Sequence, residues 1–293
     1  MIPFKLLFII NPKSGNSDKS RLENQIKSVC AKNNKEYAVF YTTGENDSEK
    51  MRKKISEYQP DTLVACGGDG TVNLVAQLLL NSEIQLGIIP LGSANGLAYE
   101  LEIEEDIAES LDIILRGKTI SMDVIWINEE FICLHLSDLG FNAKMIREFE
   151  ESGDRGMLAY AKAFFSSLMD KKTTEFSLEF NGTQKDIKAE MIVMANASSY
   201  GSGAVINPGS KLDDGSFELV IFKPIPLRDL LSLTLESFLG DIKNSPYVEI
   251  YKVEEAKIFC KEAELLQVDG ELKGENREVK AEVMKGAIKV ISS

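Results

Sequence analysis

The sequence predicts an α/β domain followed by a largely antiparallel β-rich domain. The chain has 293 residues, which suggests about two domains at roughly 100–200 residues per domain. Up to about residue 123, short apolar runs alternate with stretches of helical period, whereas beyond it short strands predominate. Alternating strands and helices imply a parallel sheet covered on both faces, with a ligand site at the carboxyl ends of its strands.

The first half contains four predicted strands, each followed by a predicted helix. Apolar runs predict strands over residues 5–10, 37–41, 62–66 and 86–89. Apolar side chains at helical spacing predict helices over residues 17–32, 48–58, 72–80 and 108–115. We expect the domain boundary between residues 117 and 125, where this alternation ends.

The second half begins with a predicted hairpin and two helices and then consists mainly of strands. The hairpin strands are residues 124–127 and 131–136, and the helices are residues 143–150 and 157–169. Further strands are predicted over residues 176–180, 187–195, 217–222, 248–253, 256–260, 264–268 and 287–291. A helix over residues 227–239 has a broad apolar stripe, which indicates core packing and leaves a lipid-contact or homodimer surface open.

Composition and charge exclude several classes of function. Lys and Arg total 33 against 46 Asp and Glu, giving a net charge of −13, which argues against nucleic-acid binding and against electrostatic adhesion to anionic membranes. No run approaches the roughly 18 apolar residues of a transmembrane helix, and the apolar start predicts a buried strand. The four cysteines lie far apart, which is typical of a reduced cytosolic protein. His135, the only histidine, lies in a predicted strand, so a histidine-rich metal site is excluded.

Three polar, glycine-containing segments each follow a predicted strand of the first half. They are Asn11-Pro12-Lys13-Ser14-Gly15, Gly67-Gly68-Asp69-Gly70-Thr71 and Pro90-Leu91-Gly92-Ser93-Ala94-Asn95-Gly96. Each can expose backbone N–H groups at a helix N-terminus, where anions are favoured, although such glycines also serve tight turns. Asp69 would bind a divalent cation, accept a ligand hydroxyl proton or bond its own loop. Phosphate donors beside a carboxylate suggest magnesium–nucleotide chemistry.

Two polar turns of the second half carry acids. Asp269, Gly270 and Glu271 follow an apolar strand, and Asp-Gly is a common hairpin-turn pair, so the residues alone favour a solvated turn. Phosphoryl transfer to an alcohol nevertheless needs a carboxylate that takes the hydroxyl proton, and these acids are candidates. Residues 211–216 similarly form a polar turn.

The motifs resemble one family along nearly the whole chain. NPKSG at residues 11–15, GGDGT at 67–71 and PLGSANGLA at 90–98 closely resemble the catalytic region of the diacylglycerol, sphingosine and ceramide kinase family, and most of all its bacterial lipid kinases. LGFNA at residues 139–143, the segments 196–203 and 208–219, and the Asp-Gly-Glu of residues 269–271 follow in the family's order. GGDGT alone is less specific, because NAD kinases also carry it.

The resemblance implies a fold and a nucleotide site. It implies a phosphofructokinase-like α/β domain over residues 1–122, to which a last strand at about residues 284–293 returns, and a β-rich substrate-binding domain over residues 123–283. Nucleotide would bind in the cleft between them. Thr43, or Thr42, and Ser93 correspond to nucleotide-contacting positions, alongside the first two glycine segments.

It also implies catalytic and metal-binding residues. Glu271 matches the family's proton acceptor, with Asp69 as the rival base and Asp269 as a further catalytic acid. Asp214 would hold a structural Mg²⁺ with the carbonyls of Lys211 and Ser216, while another Mg²⁺ arrives with ATP. This chain departs from the family pattern in having Gly96 where many members have Asp, Tyr99 where many have Arg and Asn142 where many have Asp.

The resulting expectation is an ATP- and Mg²⁺-dependent kinase that phosphorylates a hydroxyl of a membrane-derived lipid such as diacylglycerol or a sphingoid base. Such an enzyme would be cytoplasmic and would touch the membrane surface transiently. A soluble-substrate kinase of the NAD kinase type, or a nucleotide- or lipid-binding protein without turnover, are the alternatives.

Overall fold

The structure is a computed structural model that describes residues 4–15, 19–140, 172–199, 205–226, 228–229 and 242–293. The chain divides into two compact units. Unit 1 comprises Met1–Asp123 and Lys285–Ser293, and unit 2 comprises Val124–Met284. Unit 1 mixes helices with parallel strands, and unit 2 is built mainly of antiparallel strands, so the predicted fold class is confirmed.

Unit 1 alternates strands and helices along the chain. Its elements are β1 (Lys5–Ile10), α1 (Lys19–Lys32), β2 (Glu36–Tyr41), α2 (Asp47–Tyr58), β3 (Thr62–Gly67), α3 (Asp69–Leu79), β4 (Gln85–Pro90), α4 (Gly96–Glu100) and α5 (Ile107–Arg116). Strand β1 pairs in parallel with β2 and β3, and β3 pairs in parallel with β4. The end of the last strand of the chain, β14 (Glu271–Ser292), adds a parallel pair between Val290 and Leu86 of β4.

Strands β1, β3 and β4 of unit 1 form because their apolar runs are buried, whereas β2 has no buried residue. Every residue of β3 is buried, and α1 buries Leu22, Ile26 and Cys30, which recur every fourth residue on one face. Strand ends are aligned, since the amide of Asn11 donates to the carbonyl of Cys66 at 3.0 Å and that of Leu91 to Gly67 at 2.8 Å. The segments that follow β1, β3 and β4 therefore leave the sheet at one edge.

Unit 2 is assembled from strands joined mainly by antiparallel pairing. After β5 (Lys118–Ile127), which passes from unit 1 into unit 2, its elements are β6 (Phe131–Cys133), β7 (Leu136–Gly140), β8 (Thr174–Phe180), β9 (Thr183–Ala189), β10 (Met191–Ala195), β11 (Phe217–Phe222), a 3-10 turn (Ile242–Asn244), β12 (Val248–Val253), β13 (Glu255–Val268) and β14. The strand order is β12-β11-β10-β7-β13-β14, with β8 beside β13 and β9 beside β8. Its core includes Phe217, Leu219 and Leu266.

Two predicted strands of unit 2 are wrong in their bounds. The strand expected over residues 131–136 is interrupted, because the amides of Leu134, His135 and Leu136 bond the side chain of Asp269 instead of a strand partner. His135 therefore lies between two strands. The strand expected over residues 187–195 is divided at Glu190 into β9 and β10.

Other predictions were merged, missed or fall outside the described residues. The strands expected over 256–260 and 264–268 are one strand, β13, with an irregular register between Phe259 and Glu264. The short helix α4 was not predicted. The helices expected over residues 143–150 and 157–169, and almost all of the one over 227–239, lie outside the described residues. Within the part of the chain that is described, no helix has the length and apolar character needed to cross a membrane.

Candidate active site

The first glycine segment of unit 1 is tied to the second by a side-chain hydrogen bond. The side-chain amide nitrogen of Asn11 donates to the hydroxyl of Thr71 at 3.2 Å, and its side-chain oxygen accepts a hydrogen bond from the backbone amide of Lys13 at 2.9 Å. The amide of Ser14 turns back to the Asn11 carbonyl at 3.2 Å. Asn11 therefore shapes its own loop and attaches it to the start of α3, while Lys13 stays exposed.

The second and third segments pass so close that glycine is required at their contact. A Cβ atom on Gly92 would lie 2.5 Å from the Cα of Gly68 in the second segment. Within the second segment itself, a Cβ atom on Gly67 would lie 2.3 Å from the hydroxyl of Thr71. Both distances are well below van der Waals contact. These glycines are thus required by loop packing, whatever they also do for a ligand, whereas Gly70 is exposed.

Asp69 joins the second segment to the third. It is the first residue of α3, and its carboxylate accepts the backbone amide of Gly96 at 2.8 Å. The sequence left open a hydrogen bond from Asp69 to its own loop. Asp69 does bond loop backbone, but in the third segment instead of its own.

The third segment is closed by Asn95, which sequence reasoning did not single out. Asn95 adopts a left-handed conformation, accepts the amide of Gly92 at 2.9 Å and donates to the Gly92 carbonyl at 3.1 Å. Its amide nitrogen also lies 3.3 Å from Glu105. Ser93 is left exposed at the loop tip. The Asn-Gly pair was the available signal, since Asn tolerates the left-handed region.

Thr43 follows β2 and is engaged by the start of α2. Its backbone amide donates to the Asp47 carboxylate at 2.9 Å, its hydroxyl donates to the same group at 3.0 Å, and the amide of Gly44 joins at 2.7 Å. Burial raises the pKa of Asp47, but these hydrogen bonds and Lys50 outweigh that effect and hold the pKa below its usual value. The nucleotide contact of Thr43 stays a prediction.

In unit 2, the two acids of the predicted catalytic turn have opposite surroundings. Val268 pairs with Glu271, and Asp269 and Gly270 form the two-residue turn between them, both at positive φ. The Asp269 carboxylate accepts the amides of Leu134 at 2.8 Å, His135 at 3.0 Å and Leu136 at 3.2 Å. Asp269 therefore fastens the turn to the connection between β6 and β7.

Gln267 adds a second fastening to the same turn. Its side-chain oxygen accepts the amide of Gly270 at 2.7 Å, and its nitrogen donates to the buried carboxylate of Asp138 at 2.6 Å. Sequence reasoning missed both residues, because a polar pair inside two apolar strands gives no motif. Together with Asp269, they fix the backbone that carries Glu271.

Glu271 presents its carboxylate to solvent. Its side chain is 64% exposed and accepts a hydrogen bond from the ammonium of Lys273 at 2.8 Å. The same ammonium lies 5.0 Å from the centre of the Phe131 ring, a cation–π contact. Of the two acids in the turn, Glu271 is thus the one whose carboxylate is exposed to solvent.

Asp214, the expected ligand of a structural Mg²⁺, already has a cationic partner. One carboxylate oxygen accepts the ammonium of Lys252 at 2.6 Å and the other accepts the hydroxyl of Ser216 at 2.5 Å. Burial raises the pKa of Asp214, but these two partners outweigh it and lower the pKa overall. Across the described ranges, no three His, Cys, Asp or Glu side chains cluster as metal ligands. Because a divalent ion would have to displace Lys252, the side chains present do not fit a resident metal.

These features define a class of protein with two units: a parallel sheet that ends in joined, glycine-rich loops, and a β-rich unit that presents an acidic turn. A family model described as diacylglycerol kinase catalytic domain matches residues 5–127. A model described as YegS C-terminal NAD kinase beta sandwich-like domain matches residues 138–292. The chain belongs to this family of lipid kinases, and the resemblance in the motifs is confirmed.

Named relatives agree with this assignment. A diacylglycerol kinase of Bacillus subtilis (strain 168) is 27% identical over 273 residues, which cover 91% of this chain and 89% of the relative. A probable lipid kinase YegS-like protein of Yersinia enterocolitica is 26% identical over 255 residues, covering 85% and 83%. A solved structure from Bacillus anthracis str. Sterne superimposes with a TM-score of 0.82 at 21% identity, covering 100% of this chain and 98% of that one. That likeness supports the fold.

Proposed function

We propose that this chain is an ATP-dependent lipid kinase that transfers the γ-phosphoryl group to a hydroxyl of a membrane-derived lipid. The observation that carries the proposal is the joining of three glycine segments at one sheet edge, through the bonds from Asn11 to Thr71 and from Gly96 to Asp69. A triphosphate needs several hydrogen-bond donors in a fixed arrangement, and the bonds between the segments hold their residues in one arrangement. The names of the relatives favour diacylglycerol as the acceptor, with a sphingoid base as the other candidate.

Unit 1 would bind the nucleotide. The proposed contacts are the first two glycine segments, residues 11–15 and 67–71, with the exposed side chains of Lys13, Thr43 and Ser93. Mg²⁺ that arrives with ATP would neutralise charge on the phosphate oxygens, and Asp69 is the carboxylate proposed to hold it. Since the chain carries a net charge of −13, backbone dipoles are needed to meet the phosphates.

Unit 2 would supply the base. The lipid hydroxyl oxygen forms a bond to the γ-phosphorus, the bond from that phosphorus to the β-phosphate oxygen breaks, and ADP leaves. Glu271 takes the hydroxyl proton, as a general base within hydrogen-bond reach does. Asp269 and Gln267 act as positioning residues for the turn, because their polar atoms face backbone amides and a buried carboxylate.

Membrane contact would be transient and largely apolar, because a chain this acidic gains nothing from anionic head groups. A cytoplasmic location and a homodimer are further predictions of the same account.

A soluble-substrate kinase of the NAD kinase type is the second candidate. GGDGT at residues 67–71 and the family description of the second domain, which names NAD kinase, favour it. Incubation with γ-labelled ATP and either NAD or mixed vesicles that contain diacylglycerol separates the two. We expect label in the organic phase; label recovered in NADP alone would reject the lipid kinase.

A further inference from the structure

The turn that precedes β11 is joined to the neighbouring strand by one charged pair. Strands β11 and β12 are antiparallel, and their register places Lys252 directly opposite Glu218. The side chain of Lys252 reaches back from there to the carboxylate of Asp214 at 2.6 Å. A residue of the turn is thus fixed to a residue of an edge strand that is separated from it by 38 positions in the chain.

Both oxygens of the Asp214 carboxylate are in use. Ser216, which is buried, donates its hydroxyl to one oxygen at 2.5 Å, and Lys252 occupies the other. The Asp214 side chain is 19% exposed, and the ammonium of Lys252 lies against its negative charge. Glu218, half-buried beside this pair, accepts the amide nitrogen of Asn207 at 2.5 Å.

Lys252 is itself held in place. Its backbone carbonyl accepts the side-chain amide of Asn181 at 2.9 Å, and its backbone is paired across the sheet with Glu218. The ammonium therefore starts from a fixed strand position, and only its side-chain torsions have to be ordered to reach Asp214.

We propose that Lys252 is the resident cation of the turn over residues 211–216, in the place where the family resemblance implies a structural Mg²⁺. An ammonium supplies one positive charge and directional N–H donors, which satisfy a single carboxylate. It is covalently attached, so it is always at hand, whereas a divalent ion has to bind from solution. The turn of this chain consequently folds without a metal ion, and Mg²⁺ enters only with the nucleotide.

Thermal unfolding without nucleotide tests this inference. For the wild-type chain we expect the same midpoint in EDTA and in millimolar MgCl₂. Lys252→Met should lower the midpoint in EDTA by about 2–4 °C, the shift typical of losing one modest interaction in a chain of this size. Added Mg²⁺ should restore part of the lost stability, because the carboxylate of Asp214 no longer has its lysine partner and can bind the ion.

Lys257→Met is the matched control, because Lys257 is an exposed lysine of β13, the strand that follows β12 along the chain. It should leave the midpoint unchanged in both buffers. A wild-type midpoint that rises with Mg²⁺ and falls in EDTA would overturn the proposal, and so would a Lys252→Met variant that behaves like the control.

A second measurement covers the case in which Lys252→Met does not fold. Mg²⁺ is titrated into the wild type and into Asp214→Asn without nucleotide, and the heat of binding is measured by calorimetry. The two proteins should give the same isotherm. Loss of one bound ion in Asp214→Asn would show that Asp214 holds metal in the wild type and would reject the role of Lys252.

Discussion

The glycine-loop edge of unit 1 and the acidic turn of unit 2 use their polar residues in the same two ways. At the loop edge, Asn11 and Asp69 bond neighbouring backbone or side chains, while the tips at Lys13 and Ser93 are exposed. In the turn, Asp269 faces inward to three amides, and Glu271, two residues later, is exposed. Each motif therefore contains residues that hold its backbone in place and residues that it exposes to solvent. Only the three-dimensional structure shows which residue does which.

The two regions differ in what they present. The loop edge presents the exposed Lys13, whose positive charge suits an anion, whereas the turn presents the exposed carboxylate of Glu271, which suits a proton. Variants in the two regions should consequently damage different steps of the proposed reaction.

The largest effect is expected from Glu271→Gln. The amide cannot take a proton, so turnover should fall by about 10²–10⁴-fold, the usual contribution of a general base. ATP affinity should stay as in the wild type. Steady-state kinetics and nucleotide titration measure the two quantities.

Glu278→Gln is its control, because Glu278 is exposed on the same strand, β14. It should leave turnover unchanged. Wild-type-like turnover in Glu271→Gln would remove Glu271 as the base and move that role to Asp69 or Asp269.

Gly92→Ala tests the loop edge. Its Cβ would meet the Gly68 Cα at 2.5 Å, so the two loops must separate. Displacement of a positioning group by an ångström can lower the rate of a reaction by about 10²-fold. By the same argument we expect the KM for ATP to rise by about 10–100-fold.

Gly182→Ala is the control for general strain, because φ is +70° there and nothing lies within 4 Å of the added Cβ. That variant should lose some stability and keep its KM. An unchanged KM in Gly92→Ala would show that the loop contact has no role in nucleotide binding.

Asp269→Asn tests the positioning role. Its carboxylate accepts three amides, and the replacement loses acceptor capacity and adds donors that face other donors. We expect a loss of stability of about 1–3 kcal/mol, as for buried polar groups left unpaired. Turnover per folded molecule should fall without a change in the KM for ATP.

The matched control is Asp213→Asn, an exposed acid, measured by denaturant unfolding and kinetics. If Asp269→Asn abolished turnover while Glu271→Gln stayed active, Asp269 would be the base.

The smallest effect concerns pH and the turn at Thr43. The pKa of Asp47 is lower in the folded chain than its usual value, so its ionised form stabilises the fold. That contribution is fully present above the usual pKa of Asp and is lost as the pH falls through the folded value. Asp47→Asn should therefore lower stability at neutral pH and weaken its decline towards acid, as measured by denaturant unfolding.

An acid-range decline as steep in Asp47→Asn as in the wild type would show that Asp47 does not contribute to it.

The sequence predicts the fold well where one period dominates. Strand β3 is apolar throughout and α1 repeats its apolar residues at helical spacing, so both were found. Prediction from the sequence fails where a distant side chain bonds the backbone amides in place of a strand partner. Asp269 does so at residues 134–136, which lie 133 or more positions away in the chain. The break between β6 and β7 has no local signal.

Site prediction divides in the same manner. Asp69, Thr71 and Glu271 follow from short motifs, because motif spacing is local. Lys252 and Gln267 do not, because their partners are brought to them by strand register. A sequence motif can indicate Asp214 as a metal ligand, but it does not show that Lys252 on another strand already pairs with the carboxylate of Asp214.

One paired measurement tests the division of work between the two regions most directly. ATP affinity and single-turnover phosphoryl transfer to diacylglycerol are determined side by side for Gly92→Ala and Glu271→Gln. The account predicts that Gly92→Ala loses affinity and, at saturating ATP, retains transfer, whereas Glu271→Gln retains affinity and loses transfer. Equal loss of both quantities in both variants, or transfer that survives in Glu271→Gln, would contradict it.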